Sequence, residues 1–412
     1  MKHDMAGVPT HALIKYLNIL LNNGWTVVII DQISPPPRPQ RKVTGIYSPG
    51  TYIESEFSQD SNNIVCLYIE DEIQRNGNVS MCIGMSVVDL STGENTLHEA
   101  CSVDGDERYA MDEATRFINT YKPKEILIYR QDPSKKFPHS TARFTTTQSL
   151  TAYLELDGKN FNTREYVEKA FFKISYQKEF FRRIFPDHGM LNVIEYLDIE
   201  RMTYARISYI CLLDFAYQHN EHIINNIYRP KIYESSTHLA LGNNAITQLN
   251  VLESETGRTA GHRFKSLFDV VNNTSTPIGR RYLRSMMNTP IINPHELRLK
   301  YDCTEEFMND TDLFDRVESA LMGIVDVERM QRRLSLHILH PLHFADLIKS
   351  YENVRSLIIT LATAKNKMIG KLIPDPDMLS KVTNFLEESN RLFVMSELEM
   401  YFINDIQNSV FK

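Results

Sequence analysis

The residues whose types could support chemistry are, first, carboxylates. Asp89 ends an expected strand, preceded by the small and apolar residues Gly84, Ser86 and Val87, and Glu70, Asp71, Glu72 and Asp112 could be its partners. Nucleases that use paired metal ions need such clustered carboxylates, so these five residues define one candidate catalytic set. Their spacing matches no ligand pattern, and a surface or turn-capping role for Asp89 is the simpler reading. His219 and His222 flank Glu221 at a spacing that puts both on one helical face. No third ligand accompanies them, so a solvated polar face is favoured over a metal site.

Cations suggest a different chemistry. Arg38, Arg41 and Lys42 cluster beside Pro35-Pro36-Pro37-Arg38-Pro39 and could neutralise phosphates, or simply decorate a solvated loop. Arg280, Arg281 and Arg284 share a helix opened by Thr276-Pro277. Pairing with carboxylates of neighbouring helices is the preferred reading for them, and for Arg332 and Arg333 after Gln331. No G-x-x-x-x-G-K-[ST], H-E-x-x-H, G-x-S-x-G or kinase signature occurs. No catalytic residue, metal site or ATP site is therefore assigned to this chain.

Composition leaves function open. At 412 residues the chain has room for about three domains. Its 42% hydrophobic and 24% charged residues are those of an ordinary globular protein. A net charge of −7 does not announce a nucleic-acid binder, although local basic patches can sit on an acidic body. No apolar run approaches the length of a membrane span, and the N-terminus has no secretory core. The five cysteines are widely spaced, which predicts buried free thiols in a reducing intracellular compartment rather than disulfides or zinc ligands.

The elements fall into three groups. Residues 1–55 read as a small α/β segment, with a helix at 11–22, a stop at Gly24, and strands at 26–31 and 43–47. Residues 56–133 read as a second α/β unit, with strands at 64–69, 79–82, 85–90, 95–99 and 125–129 and a helix from Asp106 to about Tyr121. Beyond about residue 150 the pattern is almost wholly helical, with helices expected at 164–184, 190–197 and 200–225. A non-helical insertion is expected at 238–252. Pro277, Pro294 and Pro341 each occupy a position where a first helical residue belongs.

Several motifs together resemble one family. Met5-Ala6-Gly7-Val8-Pro9-Thr10-His11-Ala12, followed by Arg41-Lys42-Val43 and Ser48-Pro49-Gly50-Thr51, is similar to the mismatch-binding domain of MutS proteins. Gly84-Met85-Ser86-Val87-Val88-Asp89-Leu90-Ser91-Thr92-Gly93-Glu94 resembles their connector. Asn243-Asn244-Ala245-Ile246-Thr247-Gln248-Leu249-Asn250-Val251 resembles the strand that enters their core. The segment from Ser266-Leu267-Phe268 to Arg284, and Asp326-Val327-Glu328-Arg329 with Arg333-Leu334, resemble their core helices.

The resemblance implies an α+β multidomain chain. A partial α/β mismatch-binding domain would occupy residues 1–55, an RNase H-like α/β connector 56–133, and a mostly α-helical core and lever domain 134–412. It implies binding of mismatched duplex DNA, coupled to an ATPase lying outside this chain, with Met5, Gly7, Pro9 and His11 near DNA and Arg41 and Lys42 on phosphates. No cofactor is expected in this chain; ATP and Mg are implied for the full-length family protein. The implied partners are mismatched duplex DNA and either a second copy or a MutS-like ATPase subunit, with no membrane. The family's Phe-x-Glu reader, which stacks on the mispaired base, has no counterpart here, and the chain ends before a Walker motif. A fragment or a split-gene product is therefore expected. The rivals are a recombination-type relative that binds branched DNA, an interaction subunit without DNA binding, and a nuclease using Asp89.

Overall fold

The structure is a computed structural model that describes residues 7–35, 37–53, 60–74, 77–103, 105–131, 133–137, 145–234, 239, 243–252, 264–364 and 368–398. The chain divides into two compact units, Met1–Tyr233 and Glu234–Lys412.

The first unit opens with helix α1 (Leu13–Asn22), then strands β1 (Val27–Gln32) and β2 (Arg41–Tyr47) paired antiparallel. Gly24 has φ +81°, a conformation that glycine adopts without steric cost, and turns the chain from α1 into β1. Leu17 and Leu21, one turn apart, bury against Tyr52, Val27 and Tyr47. The register slips between Ile29 and Ile30, leaving Thr44 as the extra residue of a bulge. Its hydroxyl donates to the Asp31 carboxylate at 2.5 Å.

The centre of this unit is a six-stranded sheet. Strands β3 (Asn63–Ile73), β4 (Val79–Asp89) and β5 (Glu94–Cys101) run antiparallel, and helix α2 (Tyr109–Tyr121) leads to β6 (Glu125–Arg130), parallel to β3. Short helices α3 (Pro133–Lys136) and α4 (Thr147–Tyr153) precede β7 (Phe161–Arg164). Helices α5 (Ile174–Ile184), α6 (Val193–Tyr196) and α7 (Thr203–His219) then lead to β8 (Lys231–Ile232), and the sheet order is β7-β6-β3-β4-β5-β8.

Both faces of the sheet are covered, because side chains alternate along a strand. In β3, Ile64, Cys66 and Tyr68 join one core with α5, α6 and α7. Val65, Leu67 and Ile69 join another with α2 and with Leu150, Leu154 and Leu156. Helix α7 lies close on β4 because Gly84 has no side chain: a Cβ there would stand 2.0 Å from the Tyr204 carbonyl oxygen. Glu99 of β5 reaches the open end of the same helix, its Oε2 accepting from the Tyr204 and Ala205 N–H groups at 2.7 and 3.0 Å.

Several expectations need correction. The α/β unit does not close at residue 133, since β7, α7 and β8 complete its sheet and cover one of its faces. The helix expected at 164–184 is a parallel strand ending at Arg164, a 3-10 turn at Lys169–Phe172, and then α5. Pairing with β6 decides for strand where the local pattern was ambiguous. The strands expected at 79–82 and 85–90 are one strand running through Gly84. Cys82 and Cys101, expected as free thiols, face each other across β4 and β5 and form a disulfide. Cys66, Cys211 and Cys303 are free and buried.

The second unit is helical: α8 (Asn243–Gln248), α9 (Leu267–Val271), α10 (Pro277–Asn288), α11 (Pro294–Asn309), α12 (Thr311–Met322), α13 (Val327–Ser335), α14 (Pro341–Thr363) and α15 (Pro376–Leu392). Helix α8 stands where a non-helical insertion and an entering strand were expected. Thr276, Asn293 and His340 cap α10, α11 and α14, each directly followed by the proline that marks the helix start. Ile246, Val251, Leu252 and Phe268 form one small core of this unit, and Leu313, Leu361 and Ile369 another.

Candidate nucleic-acid interface

The β1–β2 ribbon carries the exposed cations. Its register places Arg41 opposite Gln32 and Lys42 opposite Asp31. Both cations are exposed, and among the described residues neither holds an ion pair. Adjacent strand residues point to opposite faces, so Arg41 and Lys42 address two sides of the ribbon. Lys42 shares its side with the Asp31 carboxylate, which offsets part of its field, whereas Arg41 faces a neutral partner. Arg41 is thus the better placed of the two to meet a phosphate, with a planar fork suited to its oxygens.

The N-terminal motif lies on the approach to α1. Gly7 and Pro9 are exposed, and the Ala12 N–H donates to the Pro9 carbonyl at 2.9 Å, starting the 3-10 turn that holds His11. His11 is exposed as well. A Cβ at Gly7 would meet nothing within 4 Å, so the structure shows no steric demand for glycine there. Met5 lies outside the described residues.

The carboxylates do not converge. Asp89 pairs with Asn63 at one end of β3, while Asp71 pairs with Met81 near the other. At about 3.3 Å per residue those ends are roughly 26 Å apart. Asp89 is buried and capped: Oδ1 accepts from the Ser91 N–H at 2.9 Å and Ser91 Oγ at 2.5 Å, and Oδ2 from the Asn62 N–H at 3.0 Å. Asp71 forms a buried pair with Arg130 at 2.6 Å, Glu70 accepts from Tyr68, Glu72 from Tyr204, and Asp112 from Tyr153. His219 packs its ring on Phe215 and bonds that residue's carbonyl, while His222 follows the end of α7. Among the described residues no group of three His, Cys, Asp or Glu could hold a metal ion.

The α10 arginines serve packing. Arg280 and Arg284 lie over the Phe268 ring at 4.9 and 5.6 Å. Arg281 pairs with Asp326 and Glu328. Reading the sequence did not single out Glu125 or Asn62, two buried polar residues at the start of β6 and just before β3. Their only signal was a polar residue bordering an apolar run, which many solvated strand ends share.

The order of motifs along these two units matches a known family. A model of MutS domain I matches residues 1–56, and one of MutS domain III matches residues 244–411. A mutS homolog of Acanthamoeba polyphaga mimivirus, named as a DNA mismatch repair protein, is 33% identical over 395 residues, 90% of this chain. The chain belongs to the MutS family. Two proteins named DNA mismatch repair protein MutS are also similar. That of Caldanaerobacter subterraneus subsp. tengcongensis is 26% identical over 93% of this chain, and that of Petrotoga mobilis 26% over 94%. The MutS-type chain spans 34%, 40% and 42% of the length of these three relatives. Among the described residues no helix is long and apolar enough to cross a membrane.

Proposed function

We propose that this chain binds duplex DNA and takes part in recognising mismatches, with the β1–β2 ribbon and the segment before α1 as its contact surface. Gly7, Pro9 and His11 would lie near the duplex, joined by Met5, and Arg41 and Lys42 would neutralise phosphates. The observation that carries this reading is the exposed Arg41–Lys42 pair within the stretch that matches MutS domain I. A mismatch weakens stacking and lowers the cost of bending at that step, so binding to a bent duplex favours it even where few bases are touched.

The finer architecture belongs to the same proposal. The sheet unit is an RNase H-like connector, a reading that rests on three antiparallel strands followed by two parallel ones on the opposite side of the first. The helical unit is core and lever. The two units are coupled to an ATPase that uses ATP and Mg, and they act with a second copy or a MutS-like partner.

Binding to duplexes with and without one G·T mismatch, across a salt series, tests the reading. The expected result is affinity that falls steeply with salt, as phosphate neutralisation requires, with tighter binding to the mismatch. No binding at low salt would end the proposal for this chain and leave an interaction subunit. Equal affinity for both duplexes would reduce it to a clamp on DNA without mismatch reading.

A further inference from the structure

Eight buried polar side chains gather at one end of the central sheet: Ser48, Thr51, Asn62, Asp89, Ser91, Thr92, Asn95 and Glu125. They come from the turn after β2, the start of β3, the β4–β5 turn and the start of β6. Burying so many polar groups is costly unless they find partners, and apart from Asn62 Oδ1, which accepts no bond, their bonds support one another.

Those bonds form a continuous path. Ser48 Oγ donates to Glu125 Oε2 at 2.6 Å and the Gly50 N–H to the same oxygen at 3.3 Å, fixing the first turn to the sheet. Asn62 Nδ2 donates to the carbonyls of Gly50 and Tyr52 at 2.8 and 3.3 Å. Its backbone N–H donates to Asp89 Oδ2. Asp89 holds the next turn through Ser91, and its carbonyl accepts from the Gly93 N–H at 2.7 Å. The Gly93 carbonyl in turn accepts from the Tyr228 N–H at 3.0 Å and Asn95 Nδ2 at 3.2 Å, and Asn95 Nδ2 also reaches the Tyr228 carbonyl at 2.6 Å. Tyr228 lies just before β8, at the close of the first unit.

We propose that Asn62 is the node of a relay that ties the position of the β1–β2 segment to that of residues 228–233. Asn62 joins the Ser48-Pro49-Gly50-Thr51 and Asp89-Leu90-Ser91-Thr92-Gly93 turns, its side chain bonding to the first and its backbone N–H to the Asp89 carboxylate at the head of the second. Little slack is available. A Cβ at Gly50 would stand 2.2 Å from Ile64, so that turn sits directly on β3. Asn95, at the far end, is pinned by the buried Tyr209 hydroxyl at 2.9 Å. A displacement of the first turn therefore has to be taken up by Asn62, then by Asp89 and the Tyr228 strap. The relay concerns the sheet unit alone and stands whether or not the ribbon reads mismatches.

Hydrogen exchange on the full 412-residue chain tests it, with Ser48→Ala at one end, Asn95→Ala at the other, and the double variant. Ser48→Ala is expected to speed exchange about fivefold or more in residues 228–233 as well as in 27–53. Asn95→Ala is expected to do the converse, and the double variant to fall short of the product of the two. Each substitution affecting only its own end, with effects that multiply, would overturn the proposal. Asn62→Ala is expected to loosen both ends at once. Should that variant fail to fold, the outer pair still decides the matter.

Discussion

Arg281 of α10 grips Asp326 at the start of α13 with both arms of its guanidinium, Nη1 to Oδ2 at 2.5 Å and Nη2 to Oδ1 at 2.8 Å. The side chains are 9% and 17% exposed. Asp326 also caps α13 by accepting from the Arg329 N–H, so one carboxylate starts a helix and binds another helix to it. Arg281→Ala leaves that carboxylate largely buried without its partner and is expected to destabilise the helical unit by about 3 kcal/mol. Arg281→Lys keeps the charge but loses the fork and should cost roughly 1.5 kcal/mol. Denaturant midpoints of the two variants check this, and a Lys variant no more stable than the Ala variant would show that the charge without the fork contributes nothing.

The two units should answer acid in opposite directions. Burial pushes the carboxyls of Glu99 and Glu125 up, against the pull of the groups that donate to them. A raised folded value means a contribution fully present below the unfolded value, about 4.3, and lost as pH rises through the folded one. Burial would also push Asp326 up, but the bonds and charge of Arg281 outweigh it and hold that carboxyl below its ordinary range. Its contribution is present above about 3.9 and lost as pH falls through the lower folded value. Acidification from neutral is therefore expected to raise amide protection in the sheet unit, relative to the intrinsic exchange rate at each pH, without lowering it in α10 and α13, whose contribution is lost only as pH falls below about 3.9. Lower protection of β4 and β5 at pH 5 than at pH 7, after correction for the intrinsic rate, would contradict this.

Gly84→Ala should be among the most damaging small substitutions. The added carbon meets backbone atoms of Tyr204 and Ala205, which cannot rotate away, so α7 has to lift from β4. Overpacking of this kind costs about 1–3 kcal/mol or more. Gly77→Ala is the control: open space surrounds it, but its φ of +82° makes a substitution strained, at about 1 kcal/mol. Thermal unfolding that ranks Gly77→Ala as the worse would show that α7 is not pressed on the sheet.

How much of this was legible in the sequence depends on where the deciding partner lies. Val65 to Ile69 form an apolar run in which every residue is buried, readable as a strand covered on both faces. Pro277 and Pro294 mark helix starts through local geometry alone. Phe161 to Arg164 were not readable as a strand, because only parallel pairing with a strand some thirty residues earlier makes them one. The Cys82–Cys101 pair needed a register, since spacing does not reveal which residues stand opposite. At the candidate interface the exposed cations were legible by type. Their division between two faces, and the Asp31 beside Lys42, emerged from the pairing.

The disulfide gives a direct test in solution. It joins strands 19 residues apart in sequence, and closing a loop of that size stabilises by about 3 kcal/mol. Reductant is expected to lower the denaturant midpoint of the sheet unit, and Cys82→Ser with Cys101→Ser to remove the dependence on reductant. Identical midpoints with and without reductant in the unaltered chain would mean that the bond contributes nothing.

The ribbon cations should differ in weight. Arg41→Ala is expected to lower the slope of log affinity against log salt by about 0.9, as loss of one phosphate contact does. Lys42→Ala should lower it less, because Asp31 already offsets that charge. A larger effect from Lys42 would mean that DNA approaches from the Asp31 side. No effect from either would remove the ribbon as the phosphate-binding surface.

Helix α7 covers the face of the sheet that β3 and β4 present, yet it is made long after them. At about 5–20 residues per second, Asp89 precedes His219 from the ribosome by on the order of ten seconds. Through most of that interval, until α5 and α6 emerge, the strands carry Ile64, Tyr68, Val88 and Leu90 with nothing laid over them, and the cover stays incomplete without α7. Nascent chains of this protein therefore pass through a window in which they are prone to aggregate and open to chaperones, and that window closes only when α7 is released.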